Sequence, residues 1–260
     1  MAASGRNPGA GVVQRLGLIG GTGLDRWGTA SSTHNISSIY GRPSANLAEY
    51  HIGGLRVFFL PRHGERHEIP PHAVNYQANI DAFRQLAVEG IIAVNAVGGI
   101  SNAYPPGALS FPDQLIDYTW DRAHTFSMAA GDELLHIEFA EPFEGRVRQA
   151  LIKAAVTAGI NAIDGGCVGV SQGPRLETAA EIRRFSQDGC DLVGMTSMPE
   201  AALAREAGLD YACLCVTANW AAGLEQEPVT MAAIEATLAQ AMIRVRKLLE
   251  RLFEEFSDVR

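Results

Sequence analysis

Short apolar runs alternate with helical patterns along almost the whole chain, and this alternation restricts the possible folds more than any other feature of the sequence. Apolar runs predict strands, and apolar residues recurring at helical spacing predict helices between them. The predicted strands cover residues 16–20, 56–60, 91–97, 115–118, 167–170, 191–195 and 211–216, and the predicted helices cover 74–88 (closed by Gly90), 146–158, 178–189 and a long stretch from Met231. No break in composition interrupts the series, so it predicts one α/β domain with a largely parallel sheet.

Several predicted strands end in loops rich in glycine or polar residues. Gly-Thr-Gly follows the first strand, Arg-His-Gly follows the second, and Met-Thr-Ser follows the strand over residues 191–195. Ligands of open α/β sheets bind beyond the carboxyl ends of the strands. We therefore expect these loops to converge on one site.

Two helices are predicted to start directly after such loops. Thr178 and Glu181 have the spacing of a capping box, in which both side chains satisfy backbone N–H groups at the helix start. Ser197 and Glu200 repeat that spacing, and Pro199 is acceptable early in a helix because its missing N–H needs no partner there. Helix N-termini favour anions, so both starts are candidate contacts for a negatively charged ligand.

Charge and composition bound the partners and the location. Lys and Arg number 21 against 29 Asp and Glu, and the net charge of −8 argues against nucleic acid or an anionic membrane as a partner. No apolar run approaches the roughly 20 residues that span a bilayer. Residues 1–14 lack signal-peptide features and are predicted to be a disordered leader before a single domain over 15–260. Four cysteines without C-x-x-C spacing favour reduced core residues of a cytoplasmic protein.

The loops after the first two strands suit an oxyanion. Gly-Thr-Gly lets the backbone approach a ligand and adds the hydroxyl of Thr22. Arg62 has a planar guanidinium that can hold phosphate through two parallel hydrogen bonds, and His63 is a further donor. A dinucleotide fingerprint would need a third glycine where this chain has Arg26. These loops therefore indicate an anion site without the signature of a nicotinamide cofactor.

The histidine spacing near Arg62 does not predict a metal site. His63 and His67 are four residues apart, but zinc sites with that spacing lie on a helix and need a further ligand. Gly64, Pro70 and Pro71 instead predict a loop. We therefore expect no metal.

Five motifs in a fixed order resemble the purine nucleoside phosphorylase and methylthioadenosine phosphorylase family. They are Gly-Thr-Gly at 21–23, Pro-Arg-His-Gly at 61–64, Val-Asn-Tyr-Gln-Ala-Asn-Ile at 74–80, Gly-Pro-Arg at 173–175 and Met-Thr-Ser-Met-Pro-Glu at 195–200. The resemblance implies a single α/β domain with a central mixed β-sheet flanked by helices, assembled as a homotrimer or a dimer of trimers. It also implies phosphorolysis of a small-molecule purine nucleoside, with inorganic phosphate as co-substrate and no metal or organic cofactor.

The resemblance also implies roles for particular residues. The phosphate contacts of the family correspond here to Thr22, Arg62, His63, Asn95, Ala96 and Thr196. Relatives often have threonine at the position of Asn95. Met195 corresponds to the residue that lies under the sugar, and His136 lies in a segment that reaches the sugar site of a neighbouring subunit.

Residues around the base favour a 6-oxopurine. Methylthioadenosine phosphorylases carry aspartates in the loop after the last strand, where this chain has Asn219 and Ala221. An asparagine can donate its amide N–H to O6 of the base and still interact at N7. Glu177 resembles the glutamate that accepts from N1–H in relatives that cleave inosine and guanosine. Asn219 and Glu177 are therefore the expected catalytic residues, and Leu176 and Trp220 are placed in the substrate pocket beside them.

The 5′ end of the sugar is expected to meet an apolar wall. Relatives that bind a free 5′-hydroxyl tend to place a histidine early in the last helix, where this chain has Met231 and Ile234. An apolar wall suits a 5′-methylthio group, whose burial contributes roughly 1–2 kcal/mol. The combination favours cleavage of methylthioinosine to hypoxanthine and 5-methylthioribose 1-phosphate. A general inosine and guanosine phosphorylase and a methylthioadenosine phosphorylase are the alternatives within the family.

Three other classes stay open on the sequence alone. A nicotinamide dehydrogenase can use this type of sheet but needs the missing fingerprint. A hydrolytic nucleosidase would release the base without phosphate. A non-catalytic purine-binding protein would bind without turnover, so a base-release assay with and without phosphate separates the classes.

Overall fold

A computed structural model describes residues 13–127, 134–225 and 230–258 of the chain. Strands and helices alternate through these residues, and a single 3-10 turn, Pro71–Ala73, precedes the first α-helix. In chain order the elements are β1 (Arg15–Gly20), β2 (Ser32–His34), β3 (Leu47–Ile52), β4 (Leu55–Pro61), α1 (Tyr76–Gln85), β5 (Gly90–Gly99), β6 (Leu109–Phe111), β7 (Gln114–Asp117), α2 (Arg146–Thr157), β8 (Ile163–Asp164), β9 (Cys167–Val170), α3 (Ala179–Gln187), β10 (Leu192–Gly194), α4 (Ser197–Glu206), β11 (Asp210–Trp220) and α5 (Met231–Asp258).

The strands form one mixed sheet with β5 at its centre. β5 pairs in parallel with β1 and with β11. Beyond β1 the sheet continues through β4, β3 and β2, and the last two pairings are antiparallel. β10 runs antiparallel to the end of β5 and leads on to β9 and β7. The described part of the chain is therefore an α/β domain with a central mixed sheet, as the family resemblance implies.

Helices cover both faces of the sheet because side chains alternate along its central strands. On β5, Ile92 and Val94 pack into one core with α2 and α5. Ile91 and Ala93 pack into the other core with α1 and α4. Strands buried on both faces are mostly apolar, which explains the apolar run over residues 91–97, interrupted by Asn95.

An apolar stripe holds α5 against the sheet. Leu238, Val245, Leu249 and Leu252 follow one another at helical spacing, and all are at most 1% exposed. Full burial of one leucine side chain contributes about 1.5–3 kcal/mol. The stripe therefore fixes where the first turn of α5 lies, and that turn is part of the candidate site.

The antiparallel pairings and the end of one helix differ from the sequence prediction of a largely parallel sheet. Only Gly53 and Gly54 separate β3 from β4, so the two strands must pair as an antiparallel hairpin. β2, β3, β6 and β8 were not predicted because they are short or carry polar residues. After α1, Ala87 takes the left-handed backbone conformation (φ 52°) that was predicted for Gly90. Gly90 instead begins β5, where a Cβ would lie 2.5 Å from Cγ2 of Val147.

The first described residues bear on the predicted leader. Residues 1–12 of the predicted leader lie outside the described residues. Val13 is buried in the core, and the N–H of Gln14 donates to Glu89, so these two residues already pack with the domain.

All four cysteines are free thiols. Across the described ranges, no helix combines the length and the apolar character that crossing a membrane requires.

Candidate active site

A cavity of about 550 Å³ lies at the carboxyl ends of β1, β4, β5, β10 and β11. Its volume falls in the range of about 300–1,000 Å³ that small-molecule sites commonly have. The predicted site residues in its wall are Thr22, Arg62, His63, Ala96, Leu176, Glu177, Met195, Thr196, Asn219, Ala221, Met231 and Ile234. Loops that are far apart in the sequence therefore meet at one place, as their positions after strands indicate.

The glycine turn after β1 lies directly against Arg62. A Cβ on Gly21 would lie 2.4 Å from the carbonyl oxygen of Val94 and 2.9 Å from Nη1 of Arg62. Only glycine fits this close approach between the turn and β5. The approach puts Thr22, whose hydroxyl can donate or accept, in the wall beside the guanidinium.

Arg62 is almost completely buried and forms a bidentate pair with Glu200. Nε and Nη2 each donate to one carboxylate oxygen at 2.8 Å, and Nη1 donates to the carbonyl of Val94 at 3.2 Å. Burial opposes the charged form, but the carboxylate of Glu200 outweighs it and raises the pKa of Arg62. The two-bond grip predicted for phosphate is thus used by Glu200. Each terminal nitrogen still carries a second N–H group that a ligand can accept from.

The same pair explains why the capping box predicted at Ser197 and Glu200 does not form. Glu200 is drawn to Arg62, because an uncompensated buried charge costs about 3–5 kcal/mol and a lost cap only about 1 kcal/mol. Thr196 becomes the residue before α4, and its side chain makes no capping bond. Thr196 is instead part of the cavity wall, where its hydroxyl is available to a ligand.

His63 has a defined hydrogen-bonding direction. Its Nδ1 lies 2.8 Å from the carbonyl oxygen of Ile69, which can only accept, so Nδ1 carries the proton. Burial, followed by the charge of Arg62, lowers the pKa of His63 to about 4. The ring is therefore neutral at neutral pH, and Nε2 carries a lone pair.

Asn95 does not line the cavity. It precedes Ala96 on β5, so the two side chains point to opposite faces of the sheet, and Ala96 is the one in the wall. The amide of Asn95 is buried and donates to Oγ of Ser197 and to Sγ of Cys213, both at 3.0 Å. The side chain therefore faces the core, and the predicted phosphate contact of Asn95 stays a prediction.

Trp220 and His136 also lie outside the wall of the cavity. Trp220 stands between Asn219 and Ala221 at the end of β11, and the alternation of a strand turns it away from the face that they share. His136 is exposed on the segment before α2. Its predicted role concerns a neighbouring subunit and stays a prediction.

The loop that carries Glu177 packs on the residue predicted to lie under the sugar. Gly173 has a positive φ of 62°, and a Cβ there would lie 2.6 Å from Sδ of Met195. The hydroxyl of Ser171 donates to the carboxylate of Glu177. The capping box over residues 178–181 is present and fixes the start of α3 immediately after Glu177.

A β-bulge sets the direction of Asn219. Pairing between β11 and β5 slips between Thr217 and Asn219, which leaves Ala218 as the extra residue. Bulges of this kind re-aim side chains next to active sites. Nδ2 of Asn219 donates to the carbonyl of Trp220 at 2.6 Å. Its second N–H and its Oδ1 allow the amide both to donate and to accept in the cavity.

Two parts of the site were missed on the sequence. Residues 67–71 continue from His63 and complete the wall on that side. Their position directly after the Arg-His-Gly loop was the available signal.

Among the residues that the structure describes, no group of three or more His, Cys, Asp or Glu side chains is arranged to hold a metal ion.

Arg122 is the second missed part, and it joins the loops that carry the predicted sugar and base residues. Nη1 donates to the carbonyls of Met195 and Met198 at 2.9 and 2.6 Å. Nη2 donates to the carbonyl of Gln172 at 2.7 Å, just before the loop of Glu177. Arg122 belongs to no predicted element, so only the three-dimensional contacts reveal this role.

Fold and cavity together are those of an α/β enzyme that acts on a small molecule. The sequence matches the Phosphorylase superfamily over residues 15–254. The chain belongs to this superfamily, and it has the nucleoside phosphorylase fold.

Individual relatives agree with that assignment. A probable S-methyl-5′-thioinosine phosphorylase of Xanthomonas campestris pv. campestris is 48% identical over 240 residues, which cover 91% of this chain and 96% of the relative. A protein of the same name from Xylella fastidiosa (strain Temecula1) is 47% identical over 243 residues, which cover 92% of this chain and 98% of the relative. The solved structure of methylthioadenosine phosphorylase from Schistosoma mansoni in complex with adenine superposes with a TM-score of 0.89 at 32% identity, covering 93% of this chain and 91% of the other.

Proposed function

We propose that the protein catalyses the phosphorolysis of a 6-oxopurine nucleoside, S-methyl-5′-thioinosine. Phosphate replaces the base at C1′ and yields hypoxanthine and 5-methylthioribose 1-phosphate. The observation that carries the proposal is the placement of Asn219 and Ala221 in the cavity wall beside Glu177, where methylthioadenosine phosphorylases have aspartates. The names of the two bacterial relatives support the same substrate.

The base pocket distinguishes oxopurines from aminopurines by hydrogen-bond direction. The N1 of a 6-oxopurine carries a proton that the carboxylate of Glu177 can accept, whereas the N1 of adenine carries a lone pair. The amide of Asn219 can donate to O6, whereas an ionised aspartate would repel it. An unpaired buried polar group costs about 1–3 kcal/mol, so the wrong base is expected to be disfavoured by roughly one or two orders of magnitude.

Phosphate is the proposed co-substrate, without metal or organic cofactor. Thr22, Thr196 and the remaining N–H groups of Arg62 are the proposed donors that position the dianion. Attack proceeds as the glycosidic bond loosens and positive charge develops on the sugar. Asn219 stabilises the negative charge on the departing base, and Glu177 anchors its N1 edge.

The apolar first turn of α5 supports the 5′-methylthio group. Met231 and Ile234 line the cavity where a free hydroxyl would need a polar partner. The S–CH3 group can bury apolar surface there, at about 25 cal/mol per Å². Inosine lacks that group, so it is expected to be a poorer substrate than methylthioinosine.

We propose further that the enzyme is a cytoplasmic homotrimer, or a dimer of trimers, in which His136 approaches the sugar site of a neighbour. Leu134 and Leu135 beside it are 73% and 46% exposed, which is unusual for leucine and suits an interface. Four free thiols support a reducing compartment.

Replacing Asn219 with aspartate tests the proposed base pocket. The swap keeps the shape of the side chain but removes its donor, so Asn219→Asp should lower the kcat/KM ratio of methylthioinosine to methylthioadenosine by at least about tenfold. Asn161→Asp, at an exposed position, is the matched control for added charge. A ratio that stays within about twofold of the wild type in Asn219→Asp would refute this base pocket.

A further inference from the structure

We propose that His63 makes the anion site selective for tetrahedral oxyanions that carry a proton, such as monohydrogen phosphate and arsenate, over aprotic dianions such as sulfate. The proposal deepens the proposed function and rests on it, because the anion site is that of the co-substrate. It turns on whether the imidazole donates to the anion or accepts from it.

The position of the imidazole proton follows from two reciprocal hydrogen bonds. Nδ1 of His63 donates to the carbonyl of Ile69 at 2.8 Å, and the backbone N–H of Ile69 donates to the carbonyl of His63 at 2.9 Å. This pair of bonds holds the ring in one orientation. The proton stays on Nδ1, so Nε2 has none to donate to an anion.

The surroundings of the ring keep it neutral. His63 is 7% exposed, and burial lowers its pKa, with the guanidinium of Arg62 adding to the effect. The ring of His67 lies with its centroid 4.8 Å from that of His63, and the carboxylate of Glu68 is also in the wall. With the ring neutral, Nε2 can act only as an acceptor.

Net positive charge in the wall cannot produce the proposed preference for monohydrogen phosphate over sulfate. The charge of Arg62 is offset by Glu200, and Glu68 and Glu177 also line the cavity. Two dianions of similar shape are then distinguished by their hydrogen bonds. Monohydrogen phosphate can donate its P–OH to Nε2 while its other oxygens accept from Thr22 and Arg62. Sulfate would set a lone pair against the lone pair of Nε2.

Calorimetric titration of the wild-type protein with phosphate, arsenate, sulfate and fluorophosphate at pH 7.5 tests the proposal directly. Fluorophosphate has the charge and nearly the shape of monohydrogen phosphate but carries no proton. We expect phosphate and arsenate to bind at least about tenfold more tightly than sulfate and fluorophosphate. Binding of all four within about twofold would overturn the proposal.

The variant His63→Gln tests whether the histidine is responsible. A glutamine amide can donate, so the preference of phosphate over sulfate should fall by at least about fivefold. An unchanged preference in a folded variant would assign the selectivity to another group and overturn the proposal. If the variant does not fold, the wild-type comparison with fluorophosphate decides alone.

Failure of this proposal can be distinguished from failure of the proposed function. Base release that depends on phosphate, in a protein that binds sulfate and fluorophosphate equally well, would leave the function intact and remove the role of His63. Base release that ignores phosphate would remove the co-substrate site, and both proposals with it.

Discussion

Arg62 has only 1% of its surface exposed, and Glu200 beside it is fully buried. A buried ion pair of this kind adds little net stability, but removing one partner leaves an uncompensated charge. The pair therefore has two separable effects. It keeps the interior electrically balanced, and it holds the remaining N–H groups of Arg62 at the cavity.

Single and double substitutions separate these effects. Arg62→Ala should lower kcat/KM for phosphate by at least about tenfold and destabilise the fold by about 3–5 kcal/mol, because Glu200 is left unpaired. The double variant Arg62→Met/Glu200→Leu removes both charges and should regain most of the stability without regaining phosphate use. Denaturant unfolding and phosphate saturation kinetics measure the two quantities. Recovery of phosphate use in the double variant would contradict the role of Arg62.

The lowered pKa of His63 predicts a pH dependence of stability. The folded-state pKa is about 4, whereas the unfolded value is about 6.5, so the unfolded chain binds more protons between these values. Stability should therefore fall as the pH falls from about 6.5 towards 4, by up to about 3 kcal/mol. Melting temperatures of wild type and His63→Gln between pH 4.5 and 7.5 measure the difference. Parallel pH curves for the two proteins would contradict it.

At the scale of elements, the strand ends act together only if their loops keep their relative positions. Arg122 provides such a link, because its guanidinium bonds carbonyls at the end of β10 and before α3 at once. Arg122 is absent from the cavity wall, so any effect on catalysis must pass through these loops. Its side chain is therefore a positioning group.

Arg122→Lys should lower kcat/KM for the nucleoside by at least about tenfold, because a compact ammonium cannot span both loops in the geometry of a planar guanidinium. Added guanidinium ion should partly restore activity in Arg122→Ala, which a purely structural defect would not allow. Arg184→Lys, whose side chain is 71% exposed, is the matched control. Normal kcat/KM in Arg122→Lys would refute the link between the loops.

Elements with strong local patterns were predictable from the sequence. The capping box of Thr178 and Glu181 forms even though Arg175 also donates to the carboxylate of Glu181, because that partly exposed carboxylate accepts from the guanidinium and from the N–H of Thr178 at once. The same spacing at Ser197 and Glu200 does not produce a capping box, because the carboxylate of Glu200 accepts hydrogen bonds from buried Arg62, 138 positions away in sequence. Local spacing cannot reveal such a competitor. The positions of the loops after the strands predicted where the site lies. The direction of the Asn95 side chain could not be predicted in this way, because the face that a strand residue takes depends on register.

At the scale of the whole molecule, the exposed leucines near His136 raise the question of assembly. Leu134 is 73% exposed and Val156, on the surface of α2, is 75% exposed, so the two form a matched pair. If Leu134 lies in a subunit interface, Leu134→Glu should dissociate the oligomer and reduce activity, whereas Val156→Glu should do neither. Sedimentation velocity and base-release assays measure both. A fully active monomeric wild type would contradict the assembly.

The sheet contains both parallel and antiparallel strand pairs, and the alternation of strands and helices in the sequence does not predict which pairs are antiparallel. Strand–helix alternation predicted one α/β domain, and the polar and glycine-rich loops after the strands predicted their convergence on one site. The hairpin of β3 and β4 depends on a two-residue connection that hydrophobic periodicity does not detect. The family resemblance implied a mixed sheet but not this hairpin.

Release of free base from methylthioinosine, methylthioadenosine, inosine and adenosine, each with and without phosphate, tests the central claim most directly. We predict phosphate-dependent release of hypoxanthine from methylthioinosine, unaffected by chelators, with a kcat/KM at least about tenfold above that for methylthioadenosine. Base release without phosphate, or equal cleavage of the two methylthio nucleosides, would contradict the account.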